Sequence, residues 1–527
     1  MLSKEALVRI HKKSAISDAH YLALLKDIQE ETGALLMEGN LKKEIQDSIN
    51  SFEDFYEVEP IEILDKNGNK MITSLAWVKK LQELIQHIIK KNNIKEPRVV
   101  IGGDSGQHKF IFTLSIFDMS DLGRDFWGYS RAGRRRTLVI AASDEMDESY
   151  PNVKMVAEKL KLSELEDIDW ILTGDQKFAN TIFGVQCHSC THNCVYCEGC
   201  KMDENGNKTN SVDNGFWVLG PYRTIAINKG RMTLWKSLCG HLKGARNHLS
   251  TFKNVEFLNI PLPLGWEHVQ IIFLIPPDPL HVILIGPVQD VFTALKKMYP
   301  DLMTAFYRRH GIGRRRSQVA GNFTGPELKL LLREGSLADL AQIIDHGVEV
   351  TQYLRTGREL HKMCVKKEFS PDHQDYIDNF ADKFKVMREL KLVSFTTKCH
   401  IIQHHIGYYM SETKCSLYPA DCSPQESTHS GLMNTQRIHN LLSTHQIGSP
   451  GQQLRLKRSL MRHNWKNLSF DLRERESETE VLEVNGQPQE ELEDLDRYVQ
   501  EAEEEETETI ETVKQVLGTL LNISILF

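Results

Sequence analysis

The sequence predicts an α/β protein: a mixed-sheet core with a large helical insertion, a helical N-terminal region and a disordered acidic C-terminal tail. Three observations carry this expectation. Short apolar runs recur at Arg98–Gly103, Lys109–Asp118, Arg136–Ala142 and Asp169–Thr173, with the length and composition of buried strands. Residues 276–392 instead carry apolar positions at helical spacing, clearest at Leu328–Leu332 and Leu337–Ile344, and so long a stretch is not a loop inside a compact core. After Glu474 the chain turns acidic and polar, with too little apolar surface to offset the entropy of ordering.

Taken in order, residues 1–95 read as a mainly helical N-terminal region, with helix-spaced apolar residues over Ser3–Lys26 and Leu75–Lys91. Residues 96–275 form the first part of the core. Three strands, a helix over Ser149–Leu162 and a fourth strand give the opening order of a ribonuclease-H-like sheet. In that order the first and fourth strands can lie side by side. Asp104 follows the first and Asp175 the fourth, so two carboxylates 71 residues apart can converge. Residues 187–200 form a Cys-rich loop, 276–392 the helical insertion and 393–470 the C-terminal core helices, with Val393–Tyr409 a His-bearing helix. Residues 471–527 are the tail.

Composition narrows the class. Apolar residues make up 40% and charged residues 26% of the 527, the range of a globular protein with a sizeable core. No apolar run reaches the roughly 20 residues of a membrane span, and the charged start MLSKEALVRIHKKS lacks a signal-peptide apolar run, so an intracellular protein is expected. The net charge of −8 hides an asymmetry. Asp471–Thr512 holds 18 acidic and 3 basic residues, and only Lys514 follows, which leaves 60 Lys and Arg against 54 Asp and Glu in the first 470 residues, a net of +6. A mildly basic body suits a polyanionic partner. The clusters Arg134, Arg135, Arg136 and Arg308, Arg309, Arg314, Arg315, Arg316 are candidates for phosphate contact, with a solvated face the plainer reading of each.

Chemistry is suggested at three places. Asp104 in IGGDSGQ and Asp175 in ILTGDQKF each follow an apolar strand; carboxylates gathered there can hold divalent metal for phosphoryl transfer, and the glycines beside Asp104 would admit a phosphate backbone. Taken singly, each is also an ordinary turn aspartate. Five of the ten cysteines lie between Cys187 and Cys200. Such clustering in a long intracellular chain points to metal rather than disulfides. Cys194-x2-Cys197 suits two thiolates on one zinc, with Cys187, Cys190 and Cys200 as alternative ligands. In KCHIIQHHIG, His400 and His404 share a helix face, whereas pairing His400 with His405 needs a bent or ending helix.

Together these residues resemble a known group. Asp104, Asp175, Cys194-x2-Cys197 and His400-x4-His405 follow the order found in Transib-type transposases and the related recombination-activating recombinase of vertebrates. A closer resemblance is to transposon-derived proteins of invertebrates. It is carried by GGDSGQHKF (102–110), GDQKFANTIFG (174–184), THNCVYC (191–197), LHVILIGPV (280–288), GNFTGPELKLLL (321–332) and KCHIIQHH (398–405). The likeness spans roughly residues 97–440, six elements in order.

The resemblance implies a DDE-type transposase or integrase-like enzyme. Asp104, Asp175 and Glu426 would hold two Mg²⁺ or Mn²⁺, and Cys194, Cys197, His400 and His405 a structural Zn²⁺. DNA would be the partner, homodimerisation is plausible, no membrane is involved, and the protein would be nuclear. The third acid is where this chain departs from the group. The stretch ADCSPQESTHSGL from Ala420 lacks the expected tryptophan, Glu426 is its only glutamate, and the expected position falls on Thr428 or Ser430. The alternatives are a domesticated, catalytically inactive DNA- or protein-binding descendant, a zinc-stabilised interaction protein, or an RNA-cleaving nuclease. His281, recurrent in the lookalikes, reads as a packed core histidine.

Overall fold

The structure is a computed structural model. It describes residues 53–467 apart from 65–68, 107–108, 123–136, 166, 187–189, 204, 210–214, 314–322, 426–427, 429–431 and 433–447, with a few isolated positions before residue 50. The acidic tail therefore lies outside the described residues, as does most of the sequence before Glu53.

The fold is mixed α/β. Six strands form one sheet in the order β1-β2-β5-β4-β3-β6. They are β1 (Tyr56–Leu64), β2 (Lys70–Val78), β3 (Pro97–Gly106), β4 (Lys109–Asp118), β5 (Leu138–Asp144) and β6 (Asp169–Thr173). Every neighbouring pair is antiparallel except β3 and β6, which run parallel with Gly102 opposite Thr173. Strand β4 is buried along its whole length, so it reads as a continuous apolar run rather than an alternation.

Two of these strands correct the sequence reading. The stretch expected as part of a helical N-terminal region, including Leu75–Lys91, supplies β1 and β2, and helix α1 starts only at Leu81 (Leu81–Lys91). Leu75, Ala76, Trp77 and Val78 are all buried. An apolar run covered on both faces has no period of its own, so it can be mistaken for the start of a helix.

Helix α2 (Tyr150–Lys159) lies between β5 and β6, and α3 (Gln176–Phe183) follows β6 directly. Its side of the sheet is set by glycine. A Cβ on Gly103 or on Gly174 would come within 2.0 or 2.3 Å of the Phe178 ring. Gly103 and Gly174, at these two adjacent strand ends, thus make room for α3.

After α3 come a small hairpin of β7 (Cys200–Met202) and β8 (Phe216–Val218) and helix α4 (Ile225–Leu238). Residues 276–392 are mainly helical, as expected: a π-helical segment (Leu280–Val288), α5 (Gln289–Met298), α6 (Pro300–Arg309), α7 (Gly325–Leu331), α8 (Glu334–Ile343), α9 (Gly347–Cys364) and α10 (His373–Glu389). The His-bearing helix begins at Thr397 rather than Val393. It runs as α11 (Thr397–Ile401), a π-helical turn (Ile402–Ile406) and α12 (Gly407–Thr413).

Helix α13 (Pro450–Asn467) packs on β1, β2 and β5. Strand β2 pairs with β5 only over Leu75–Trp77, so the backbone of Val139 has no strand partner on that side. Asn464 supplies both missing bonds: its Oδ1 accepts from the Val139 N–H at 2.8 Å, and its Nδ2 donates to the Val139 carbonyl at 2.7 Å. Among the described residues no helix is long and apolar enough to cross a membrane.

Candidate metal centres

The parallel β3–β6 register brings Asp104 and Asp175 to the same end of neighbouring strands. Asp175 caps α3, its carboxylate accepting from the Phe178 N–H at 2.7 Å, and Asp104 accepts from the Ser105 N–H at 2.7 Å. Both keep partial solvent access. A third carboxylate joins them that sequence reasoning missed. Glu148, between β5 and α2, is buried, and its Oε1 has no hydrogen-bond partner. Burial first, then the charges of Asp175 and Asp104, push its pKa up to about 8 against the opposing pull of Lys177, whose Nζ lies 3.4 Å from Oε2. An acidic residue just past the third strand was the available signal, but SDEMDESY offers several and only the fold selects one.

The three acids do not close into a tight cluster. Among the described residues only two groups of three or more Asp, Glu, His or Cys have donor atoms all within 4.8 Å of one another: Cys194 with Cys197, His400 and His405, and Asp278 with His281 and Cys422. Carboxylates spread around two ions about 3.5–4 Å apart need not lie that close to one another.

Glu426 lies outside the described residues. Its neighbour Gln425 reaches the sheet: a Cβ on Gly102 would fall within 1.7 Å of Gln425 Nε2. Gly102 and Asp104 share a face of β3 because side chains alternate along a strand. An amide, not a carboxylate, therefore covers the sheet on the Asp104 face. Its Oε1 is buried without a partner. Thr428, one of the two positions where the third acid was expected, hydrogen-bonds Thr137 at 2.6 Å and the Pro424 carbonyl at 2.8 Å.

The Cys/His quartet assembles completely and is buried. Cys194 Sγ lies 3.3 Å from His405 Nε2, Cys197 Sγ 3.2 Å from His400 Nε2, and the two Nε2 atoms 3.1 Å apart. Tetrahedral zinc with these ligands would set such separations at about 3.3–3.7 Å, so the four residues fit a structural Zn²⁺ with little movement. The histidines meet because of the π-helical turn at Ile402–Ile406. Its wider turn brings residues five apart onto one face, and this is the bend that the His400–His405 pairing required. His404, the partner that ordinary helical spacing would choose, stays outside the quartet.

Electrostatics favour the thiolate at one of the two cysteines. The Cys197 thiol is pushed strongly down, first by its hydrogen bond with Cys194 and then by those with the two imidazoles, while burial raises Cys194. Burial first, and the His400 charge in addition, lower the pKa of His405 against the pull of Cys197, keeping it neutral and able to ligate. A fully buried Arg223 braces the loop from behind. Its Nε donates to the Cys194 and Cys197 carbonyls at 3.0 and 2.9 Å, and its NH2 to the Lys253 carbonyl at 2.8 Å. Trp217 stacks on His400 with ring centroids 4.9 Å apart, and Tyr196 and Tyr222 meet His405 edge-on at 5.4 Å. Neither the arginine nor this aromatic box was read from sequence.

The remaining expectations divide. Of the alternative ligands, Cys187 lies outside the described residues. Cys190 is half-buried with its thiol pushed up to about 11, first by burial, and Cys200 packs against Met202; neither joins the quartet. Arg134, Arg135, Arg136, Arg314, Arg315 and Arg316 lie outside the described residues. Arg309 pairs with Asp339 at 2.7 Å. His281 is not a packed core histidine: it is half-buried and its Nδ1 contacts Asp278. No protein-family model matches the chain and no curated protein sequence matches it significantly.

Proposed function

We propose that the chain is a ribonuclease-H-like DNA-processing protein of the DDE type, transposase- or integrase-like, which cleaves and transfers DNA strands with divalent metal. The observation that carries this is the strand order β5-β4-β3-β6, antiparallel except for β3 and β6. Asp104 and Asp175 stand at the two parallel strand ends, and Glu148 is close enough for its ionisation to respond to both. Mg²⁺ or Mn²⁺ bound there would polarise the phosphodiester and activate the attacking water or 3′-hydroxyl. Asp104 and Asp175 would hold the ions, and Glu148 would give up its proton to join them. The zinc quartet would pin the α11–α12 rod to the Cys loop beside α3, holding the end of the sheet rigid. The basic runs Arg134–Arg136 and Arg314–Arg316 would contact phosphates, and nuclear location and pairing of two copies on two DNA ends follow from the same reading.

The test is incubation of the purified full chain with supercoiled DNA and Mn²⁺. Nicking that disappears in Asp104→Ala and in Asp175→Ala, with zinc content unchanged, supports the enzyme. Cleavage of RNA alone would reassign the substrate. A second reading, a catalytically inactive DNA-binding descendant, is favoured by Gln425 covering the Asp104 face where an acid would serve. DNA binding that weakens steeply with salt but never leads to nicking would establish it.

A further inference from the structure

Asp278, His281 and Cys422 form a compact group of mixed donors that the zinc quartet and the acidic residues leave unused. One oxygen of Asp278, one imidazole nitrogen of His281 and the sulfur of Cys422 all lie within 4.8 Å of one another. The group joins two distant parts of the chain: the Cys422 N–H donates to Asp278 Oδ1 at 3.0 Å across 144 residues. Asp278 is further held at the start of the Leu280–Val288 segment, accepting from the Leu280 N–H at 3.1 Å and the His281 N–H at 3.2 Å. The carboxylate and the thiol are each only 2% exposed, whereas the His281 side chain keeps 20%. Two of the donors are thus dry, and His281 alone keeps contact with solvent.

We propose that Asp278, His281 and Cys422 bind a second zinc ion, with three protein donors and one position open to solvent or a small ligand. The donor types select the metal. A thiolate excludes Mg²⁺ and Ca²⁺, which take oxygen, and sulfur with imidazole and carboxylate suits Zn²⁺. Three backbone N–H groups and the His281 imidazole hold the Asp278 carboxylate, and such bonds favour its charged, ligating form. Three protein ligands with an open fourth position distinguish a reactive zinc from the closed four-ligand quartet of a structural one. The site adjoins the acidic centre, because Cys422 Sγ lies 3.3 Å from Thr173 Oγ1, two residues before Asp175. It does not depend on that centre being catalytic.

Metal content of the full chain purified from zinc-supplemented medium tests this. Two zinc ions per chain are expected for wild type, and one for Cys422→Ala and for His281→Ala, with Asp104→Ala retaining two. One zinc per wild-type chain, or two that both substitutions leave in place, overturns the site. Cobalt titration of the metal-stripped wild-type chain answers the question without any variant. Two equivalents should bind, the second adding about half the thiolate-to-cobalt absorption of the first, since one sulfur replaces two; saturation at one equivalent refutes the proposal.

Discussion

Replacing His405 with alanine should separate the zinc tie from the rest of the fold. The quartet links Cys194 to His405 and Cys197 to His400, 211 and 203 residues apart. A cross-link closing a loop of that length removes about 18 cal/mol/K of chain entropy from the unfolded state, or about 5 kcal/mol at 25 °C. That approaches the whole stability of many domains, about 5–15 kcal/mol, and should lower the melting temperature by roughly 5–10 °C for a chain of this size. The variant should lose zinc, and added chelator should destabilise wild type but leave His405→Ala unchanged. His404→Ala is the control. The two imidazoles are adjacent in sequence, yet only His405 belongs to the quartet, so His404→Ala should keep its zinc and most of its stability. Calorimetry with parallel zinc analysis reads both. Equal damage from the two substitutions, or a wild-type melting temperature indifferent to chelator, would refute the tie.

Three further expectations follow from particular contacts. Glu148 is raised to about 8 in the folded chain from an ordinary 4.5; the native state then binds more protons than the unfolded state between those values, so stability should fall as pH rises from 5 to 8. Glu148→Gln should flatten that slope, worth on the order of 4 kcal/mol, and should abolish any extra Mn²⁺ stabilisation seen at pH 8 over pH 6; an unchanged slope would mean that Glu148 ionises normally. Gln425→Glu should tighten Mn²⁺ binding by tenfold or more and raise Mn²⁺-dependent nicking, because it places a carboxylate over the Asp104 face of β3; weaker binding in a calorimetric titration would remove Gln425 from that face. Asn464→Leu should destabilise by about 2–6 kcal/mol, since it strands the buried N–H and C=O of Val139 at about 1–3 kcal/mol each, and denaturant unfolding with an unchanged midpoint would contradict the pairing.

The positions of Asp104 and Asp175 were legible because each ends a short apolar run at a glycine, and such runs report burial directly. The metal quartet was legible in its chemistry, since the Cys-x2-Cys pair and the clustered histidines are zinc ligands by type. Strand β2 was not, because its run Thr73–Val78 is buried on both faces and carries no period, whereas β1 does alternate exposed and buried positions over Pro60–Ile63. Glu148 was hidden among neighbouring acids, and its displaced ionisation depends on burial against residues far along the chain.

Residue chemistry and local pattern therefore determined the strands that carry the two strand-end aspartates, and marked the Cys-x2-Cys pair and the histidine cluster as candidate zinc ligands. Tertiary structure alone decided which histidine joins the quartet, because the π-helical turn at Ile402–Ile406 changes the residues that share a face without a mark in the sequence. It also decided that Glu148 attends the two aspartates, that Gln425 covers Gly102, and that Asp278 meets Cys422 across 144 residues. Local pattern reports which side chains can be buried or can ligate. Their partners are chosen by chain closure over hundreds of residues, which local spacing does not encode.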